Sequence, residues 1–387
     1  MLIPIHRPPH SLREIRLAIS LVQAHGPRIR PIFEEAVTGW LGTRQFLTTG
    51  SGRRALFLGM KLLDIGPGDE VIYPAYTPAI VPLVIRATGA DPVPCDVTAQ
   101  DWTLDPDAVL SRITDRTRAI LPVHVYGYPP DLPGLDAICR RYGLLLVENA
   151  ANAFGATCAG RQAATWGDMG IFSFGLGKSL SLGGGGGLVV RDPDLFERAA
   201  GEAVPEESRS SVSLLGSLLA SLGLSHPAVY GLLGLRFKTR RVSREYRGYD
   251  RDLSDRRDPS PLAFALGITG LRSQPWRNRI LNAGYYRELF RDLPNIRLQE
   301  VREGIAPVFT RFFVQTRSPA AQEAARRALF REGIEPSIPD DHPFTLPRSS
   351  GDTGDLPVSR SLAGTLVGIP VYTRIPDETL RRIFTGI

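Results

Sequence analysis

The chain has 387 residues, 43% of them hydrophobic and 22% charged, the balance of a globular protein and not of a disordered, collagen-like or coiled-coil chain. At about 150 residues per domain, that length predicts two or three domains. The net charge of +6 is carried almost wholly by arginine, with lysine only at Lys61, Lys178 and Lys238; spread along a folded chain it suits a small anion such as a nucleotide or phosphate and makes no nucleic-acid patch.

Residues 1–40 read as an N-terminal arm and helix. Met1–His10 is Pro-rich and polar, without the basic start, apolar run and cleavage site of a secretory signal. From Phe46 to about Val190, strands and helices alternate. Gly68–Tyr73 and Asp91–Val97 read as turns into short strands. Thr117–Val125 and Gly143–Glu148 are apolar runs between turn residues, as expected of strands covered on both faces. Helical spacing falls between them at Ile80–Thr88, Pro106–Ile113 and Leu132–Arg141. The pattern predicts an α/β fold with a large, mostly parallel sheet domain over 41–204, and such sheets bind ligands beyond the carboxyl ends of their strands. Cys95, Cys139 and Cys158 are an odd set without CxxC spacing, which points away from disulfides and zinc and toward a reducing, cytoplasmic setting.

An insertion and linker follow over 205–247. Within it, Ser211–Leu235 carries no formal charge and is long enough to be tested as a membrane span. Ser225-His226-Pro227 at its centre and its repeated Gly and Ser argue instead for two short apolar helices joined by a turn. Those helices are buried between subunits or set against a membrane surface. A smaller α+β domain is expected over 248–387, with a helix at Leu262–Leu293, strands at Asn295–Glu300 and Ala306–Thr316, and a helix at Ser318–Glu332 capped by Ser318 before Pro319.

Two stretches carry chemistry. In Gly170–Val190, GIFSFGLGKSLSLGGGGGLVV, a strand ends at Ser173, Lys178 follows, and five glycines lead into another strand. A glycine run costs backbone entropy; here its expected return is close approach of backbone to a bulky planar group. Lys178 in that turn reads as a Schiff-base nucleophile activated by desolvation, or as an ordinary surface-loop lysine. In Thr48–Leu56, TTGSGRRAL, a Gly/Ser turn opens an apolar helix that runs to Leu63. Helix-start amides bind phosphate, and Arg53 and Arg54 oppose the macrodipole unless an anion is present; a plain helix cap is the other reading. Neither GxxxxGK[ST] nor GxGxxG occurs there.

With Glu148–Ala156 (ENAANAFGA) between them, these stretches resemble the DegT/DnrJ/EryC1/StrS sugar aminotransferases, fold-type I pyridoxal 5'-phosphate (PLP) enzymes. The resemblance extends to Gly66–Val81 (GPGDEVIYPAYTPAIV), Leu121–Leu132 (LPVHVYGYPPDL), Phe172–Gly187 (FSFGLGKSLSLGGGGG) and Leu356–Ile383 (LPVSRSLAGTLVGIPVYTRIPDETLRRI). It covers roughly residues 40–200 and 260–387 and leaves the apolar segment as an insertion. It implies that Lys178 holds PLP and shuttles a proton. It also implies that Ser173 and the amides of Gly52, Arg53 and Arg54 hold the phosphate, and that the protein works as a homodimer. Arg53 stands where the family has threonine, and a guanidinium can serve a phosphate too.

Other positions depart from the family. Asn149 replaces the Asp that keeps a proton on the pyridine nitrogen and makes the ring an electron sink. Glu148 is not expected to substitute, since strand neighbours face opposite sides. Asn152 is placed to reach the ring hydroxyl. Pro78 replaces a stacking aromatic, which leaves Thr77 or Tyr76 to cover the ring. Asp250, or Arg251 beside it, falls where the family sends an Asn to the neighbouring subunit's phosphate. His124 reads as a structural histidine or as one facing the site. The resemblance implies amino transfer from glutamate or glutamine to a keto sugar linked to a nucleotide. Asn149 also leaves open a PLP enzyme with redirected chemistry (elimination, decarboxylation or oxidation) or a non-catalytic regulatory or scaffold protein.

Overall fold

The computed structural model describes residues 3–4, 10–43, 45–203, 207–224, 253, 256–337 and 356–387. Its strands are β1 (Phe46–Thr49), β2 (Glu70–Pro74), β3 (Asp91–Cys95), β4 (Thr117–Ile120), β5 (Leu145–Asn149), β6 (Thr157–Cys158) and β7 (Arg161–Gln162). There follow β8 (Met169–Ser173), β9 (Gly186–Val190), β10 (Ile296–Leu298), β11 (Ile305–Ala306), β12 (Phe312–Thr316) and β13 (Leu366–Ile369). Seven of them form the main sheet in the order β1-β9-β8-β5-β4-β2-β3. Only β9 runs against the rest, antiparallel to both β1 and β8. The α/β expectation holds, and one edge of the sheet gathers six carboxyl ends and the start of β9.

The strands form where apolar runs can be covered on both faces. Ala119, Ile120, Leu146 and Val147 are fully buried. On one face pack α1 (Leu12–His25), α2 (Ile29–Leu41) and the helix Pro261–Ser273, through Ala18, Phe33, Val37 and Leu266. Aromatic rings fill the space between them edge to face, as Phe154 meets Phe172 with centroids 5.0 Å apart at 64°. On the other face α3 (Gly52–Leu62) and the helix Ile80–Ala87 supply Ala55, Leu58, Val81 and Val84. A second sheet, β10-β12-β13, is antiparallel and is covered by the helices Trp276–Phe290, Pro319–Arg331 and Asp377–Thr385. The helix Pro261–Ser273 lies in the stretch read as C-terminal, yet it packs with α1 and α2.

Several predicted elements stop short, each for a local reason. The run Thr117–Val125 ends as strand at Ile120, just before Pro122, which has no N–H to donate to a ladder. The helix predicted over Leu262–Leu293 is two helices, broken where Gln274 takes a left-handed φ of 46° before Pro275. The strand predicted over Ala306–Thr316 is split by Phe309, with φ 45°, into β11 and β12. Ser318 does cap its helix, its side chain accepting from Ala321 N.

Ser211–Leu224 forms the first of the two helices expected in the apolar segment; residues 225–235 lie outside the described residues. Leu218 is buried in the cluster that holds the helix Pro261–Ser273, while Val212 and Leu219 are exposed. Among the described residues no helix is long and apolar enough to cross a membrane. All three cysteines are unpaired and buried, and burial pushes the thiols of Cys95 and Cys139 up to about 12, which leaves them inert.

Where the chain returns from the insertion, Asp258 binds Arg30 across 2.8 Å, and its backbone N–H donates to Glu207 O. Burial nonetheless outweighs Arg30 and raises the Asp258 carboxyl to about 6 from an ordinary 3.8. A folded state that holds the proton more tightly than the unfolded chain is favoured below about pH 4 and loses that advantage as pH rises through about 6. Asp258→Asn cannot lose it. The melting temperature of Asp258→Asn minus that of the parent is therefore expected to rise between pH 4 and pH 7 and to level off above; a flat difference across that window would refute the account.

Candidate active site

At the carboxyl edge of the sheet, backbone meets backbone without side chains between. The chain leaves β1, turns at Ser51 and enters α3 at Gly52, with Ser51 as N-cap and its Oγ accepting from Arg54 N at 3.1 Å. Gly52 sits against the end of β8: a Cβ there would lie 2.9 Å from Ser173 Cβ and 3.1 Å from Phe172 O. Gly186, opening β9, closes the corner, for its Cβ would fall 2.4 Å from Ser51 O and 2.5 Å from Gly52 N. Gly183 and Gly185 turn the chain with φ of 81° and 98°, values that favour glycine. Within the glycine run, Gly186 closes on the backbone of Ser51 and Gly52, while Gly183, Gly185 and Gly187 lie against the side chains of Leu214, Pro259 and Phe46. The product is a helix N-terminus held against a serine, the arrangement that receives a phosphate.

The other predicted residues stand at or just past the ends of β2, β5 and β8. Lys178 lies in the turn after β8, half-buried, and its Nζ donates to Asn152 Oδ1 at 2.8 Å. Asn152 thus holds the amine. Asn149 ends β5, buried, and its Oδ1 accepts from Ala151 N at 3.2 Å. A backbone N–H can only donate, so the orientation of this amide is fixed and Nδ2 is the end turned away from Ala151. Thr77 follows β2 fully buried, and its Oγ1 has no hydrogen-bond partner among the described residues. A buried orphan hydroxyl is costly unless a ligand meets it.

Some expectations change. Arg54 contributes no amide to an anion, since its N–H is taken by Ser51, and its guanidinium donates to Leu253 O at 2.8 Å. Arg53 is half-buried in the first turn of α3. Tyr76 is buried, with its hydroxyl 2.5 Å from that of Tyr126, whose ring stacks on Phe313 at 3.9 Å. His124 is fully buried and its Nε2 lies 3.2 Å from Glu148 Oε2, out of line for a hydrogen bond. The structural reading of His124 expected a hydrogen-bonded ring in a half-buried turn; the ring is instead fully buried, and neither of its nitrogens has a hydrogen-bond partner among the described residues. Glu148, on the opposite face from Asn149 as expected, accepts from the backbone N–H of Ala164, Trp166 and Gly167 at 2.9, 2.5 and 2.7 Å. Asp250 and Arg251 lie outside the described residues. Sequence reading missed Arg279, whose Nη1 donates to Gly177 O at 3.2 Å; nothing in local spacing ties residue 279 to the turn of Lys178.

These residues fit PLP. An amine is held by Asn152 in the turn after β8, a glycine-tight corner at a helix start suits a phosphate, an unpartnered hydroxyl follows β2, and an amide ends the central strand.

Comparison with known proteins agrees. The family described as "DegT/DnrJ/EryC1/StrS aminotransferase family" matches residues 16–387. The erythromycin biosynthesis sensory transduction protein EryC1 of Saccharopolyspora erythraea is 32% identical over 94% of this chain and 90% of its own. A UDP-N-acetyl-3-dehydro-alpha-D-glucosamine 3-aminotransferase of Acidithiobacillus ferrooxidans is 29% identical over 92% and 86%. Among solved structures, the aminotransferase TlmJ of Streptoalloteichus hindustanus superposes with a TM-score of 0.78 at 27% identity, covering 99% of this chain and 97% of that one.

Gly52→Ala is expected to push α3 away from Ser173, since the new methyl would meet backbone and Cβ at about 3 Å. Overpacking of this kind costs about 1–3 kcal/mol. Thermal melts with and without PLP should show both a lower baseline stability and a smaller stabilisation by PLP. An unchanged PLP shift would separate this corner from the cofactor.

Proposed function

This chain belongs to the DegT/DnrJ/EryC1/StrS aminotransferase family of PLP-dependent enzymes, and from that premise we propose that it transfers an amino group from glutamate or glutamine to a keto sugar carried on a nucleotide, working as a homodimer. The observation that carries the reading is the Lys178 amine, held 2.8 Å from Asn152 Oδ1 beside the corner of Gly52 and Ser173. The name of the Acidithiobacillus relative, an aminotransferase of a UDP-linked dehydro sugar, supports the substrate class.

PLP, when bound, supplies an aldehyde that condenses with amines and a ring that draws electrons from a breaking C–H bond. The chain does the rest. Gly52 N–H, Arg53 and Ser173 would hold the phosphate at the positive end of α3. Thr77 Oγ1 gains the partner it otherwise lacks. Lys178, whose Nζ donates to Asn152 Oδ1, would hold the cofactor, and its amine would serve as the base that moves a proton at the reacting carbon. Asn152 stays within reach of Nζ and keeps it aimed.

Asn149 favours a second reading, redirected chemistry on the same cofactor. With Oδ1 engaged by Ala151 N, the amide offers a donor, which suits an unprotonated ring nitrogen. Such a ring stabilises negative charge less than one protonated against a carboxylate.

Purified protein mixed with PLP is expected to show a near-ultraviolet or visible band that Lys178→Ala abolishes. Added glutamate should bleach it and release 2-oxoglutarate in equal amount. Absence of the band at saturating PLP refutes both enzymatic readings; a persistent band without 2-oxoglutarate refutes transamination and favours the second. Asn149→Asp is expected to raise the transamination rate by about tenfold, roughly 1.4 kcal/mol of barrier. A rate at or below the parent's would mean that the amide is tuned for another reaction.

A further inference from the structure

β1 is an edge strand of the main sheet, and at the end that leads into the phosphate corner it pairs with two glycines, Thr48 with Gly187 and Thr49 with Gly186. Glycines supply a ladder but no side chain to pack across it, so the ladder alone holds this end of β1 weakly. Its outer edge is held by α2. Glu34 Oε1 accepts from the backbone N–H of Thr48 at 2.9 Å and from its Oγ1 at 2.6 Å, which satisfies an edge donor that no further strand takes. Thr48 is fully buried, and three residues later the chain reaches Ser51, the cap of α3.

Glu34 is itself held. Arg30, one helical turn earlier, donates through Nε to Glu34 Oε1 at 3.1 Å, and its Nη1 lies 2.8 Å from Asp258 Oδ2. A planar guanidinium with five N–H donors can serve two carboxylates at once. Asp258 is buried where the chain returns from the insertion. Its N–H donates to Glu207 O and its carbonyl accepts from Arg209 N, so the outgoing and returning chains are pinned to each other. The next residue, Pro259, rests on the glycine run: a Cβ on Gly185 would fall 2.6 Å from Pro259 Cγ, and Gly185 pairs with Ser51. The stem of the insertion thus reaches the corner twice, through Arg30 and Glu34 to Thr48 and through Pro259 to Gly185.

We propose that Arg30, Glu34 and Asp258 are positioning residues for the cofactor phosphate, tying the stem of the insertion to the corner of Ser51, Gly52 and Ser173; the assignment rests on the PLP reading above. They act through backbone. A carboxylate that fixes Thr48 fixes the short path from β1 to Ser51, and with it the direction in which the first amides of α3 point at a small anion. Lys178 stands on the turn after β8 and is not carried by this chain of contacts. Loss of the tie is therefore felt by the phosphate and not by the aldehyde.

The test is titration of the full chain with PLP and, separately, with pyridoxal, which has the aldehyde and ring but no phosphate, each followed by the near-ultraviolet or visible band. Glu34→Gln and Arg30→Met are expected to weaken PLP by about fivefold or more, and Asp258→Asn by about threefold, while pyridoxal affinity changes by less than about twofold. Because the residues act through one chain of contacts, the Glu34→Gln/Arg30→Met double variant should match its weaker-binding single within about twofold. Melts without ligand identify any variant that fails to fold, and Asp258→Asn, nearly the same in shape, then carries the comparison. Unchanged PLP affinity in the variants, equal loss of PLP and pyridoxal, or additive losses in the double variant each overturns the proposal. A parent that forms no band with PLP removes the cofactor reading and this assignment with it. A parent that takes PLP while Glu34→Gln and Asp258→Asn keep its affinity removes this assignment alone.

Discussion

Everything at this site depends on three pieces of backbone packing closer than side chains allow. β9 is threaded antiparallel between β1 and β8, and at its first residue it passes against Ser51 and Gly52. A methyl group on Gly186 would displace the start of α3, and one on Gly52 would displace Ser173. Either change separates the N-terminus of α3 from Ser173. Glycine is a poor strand residue, with backbone entropy lost and no side chain to pack. Stability is given up here so that amide dipoles and a hydroxyl can converge on one small volume.

Neighbouring residues on β5 show the same division of labour. Glu148 faces inward and satisfies three backbone N–H groups of the segment Ala164–Gly167, a segment that would otherwise bury unpaired donors under the sheet. Asn149 faces the carboxyl edge, where its carbonyl caps the next turn through Ala151 N and its amino end is left for the site. One residue pins the floor and the next presents chemistry. Exchanging their roles by a one-residue slip would bury the amide and expose the carboxylate.

What the sequence made legible was what repeats or recurs locally. Apolar runs between turn residues located β2, β3 and β5 to within about two residues, and the Ser318-Pro319 pair located a capped helix. The turn at Ser51 and the lysine after Ser173 were legible as motifs. The ends and breaks were not, because Pro122, Gln274 and Phe309 act through single backbone positions that leave the apolar pattern intact. The purpose of the glycine run was misread for a different reason: its partners, Ser51, Gly52 and the Phe46 ring, lie more than a hundred residues away in the chain. Arg279 was invisible for the same cause, since only the fold brings it to Gly177.

Burial around the site falls in a gradient that says what can move. Glu148, Thr77, Tyr76 and His124 are fully buried or nearly so, and Tyr76 is tied through Tyr126 to Phe313 of β12. These residues join the main sheet to the smaller one as a rigid platform. Lys178, Asn152, Ser173 and Arg53 stand on it half-buried. A reaction in which one amine must leave its partner, engage a cofactor and later carry a proton needs mobility at Lys178 and none beneath it. The backbone under the lysine supplies that contrast. Gly175 and Gly177 flank an exposed Leu176, so the turn is light, while Phe172 and Phe174 on either side of Ser173 are locked in the aromatic cluster. Ser173 is thereby fixed between two packed rings, while Lys178 stands in the lighter turn with its Nζ on Asn152 Oδ1.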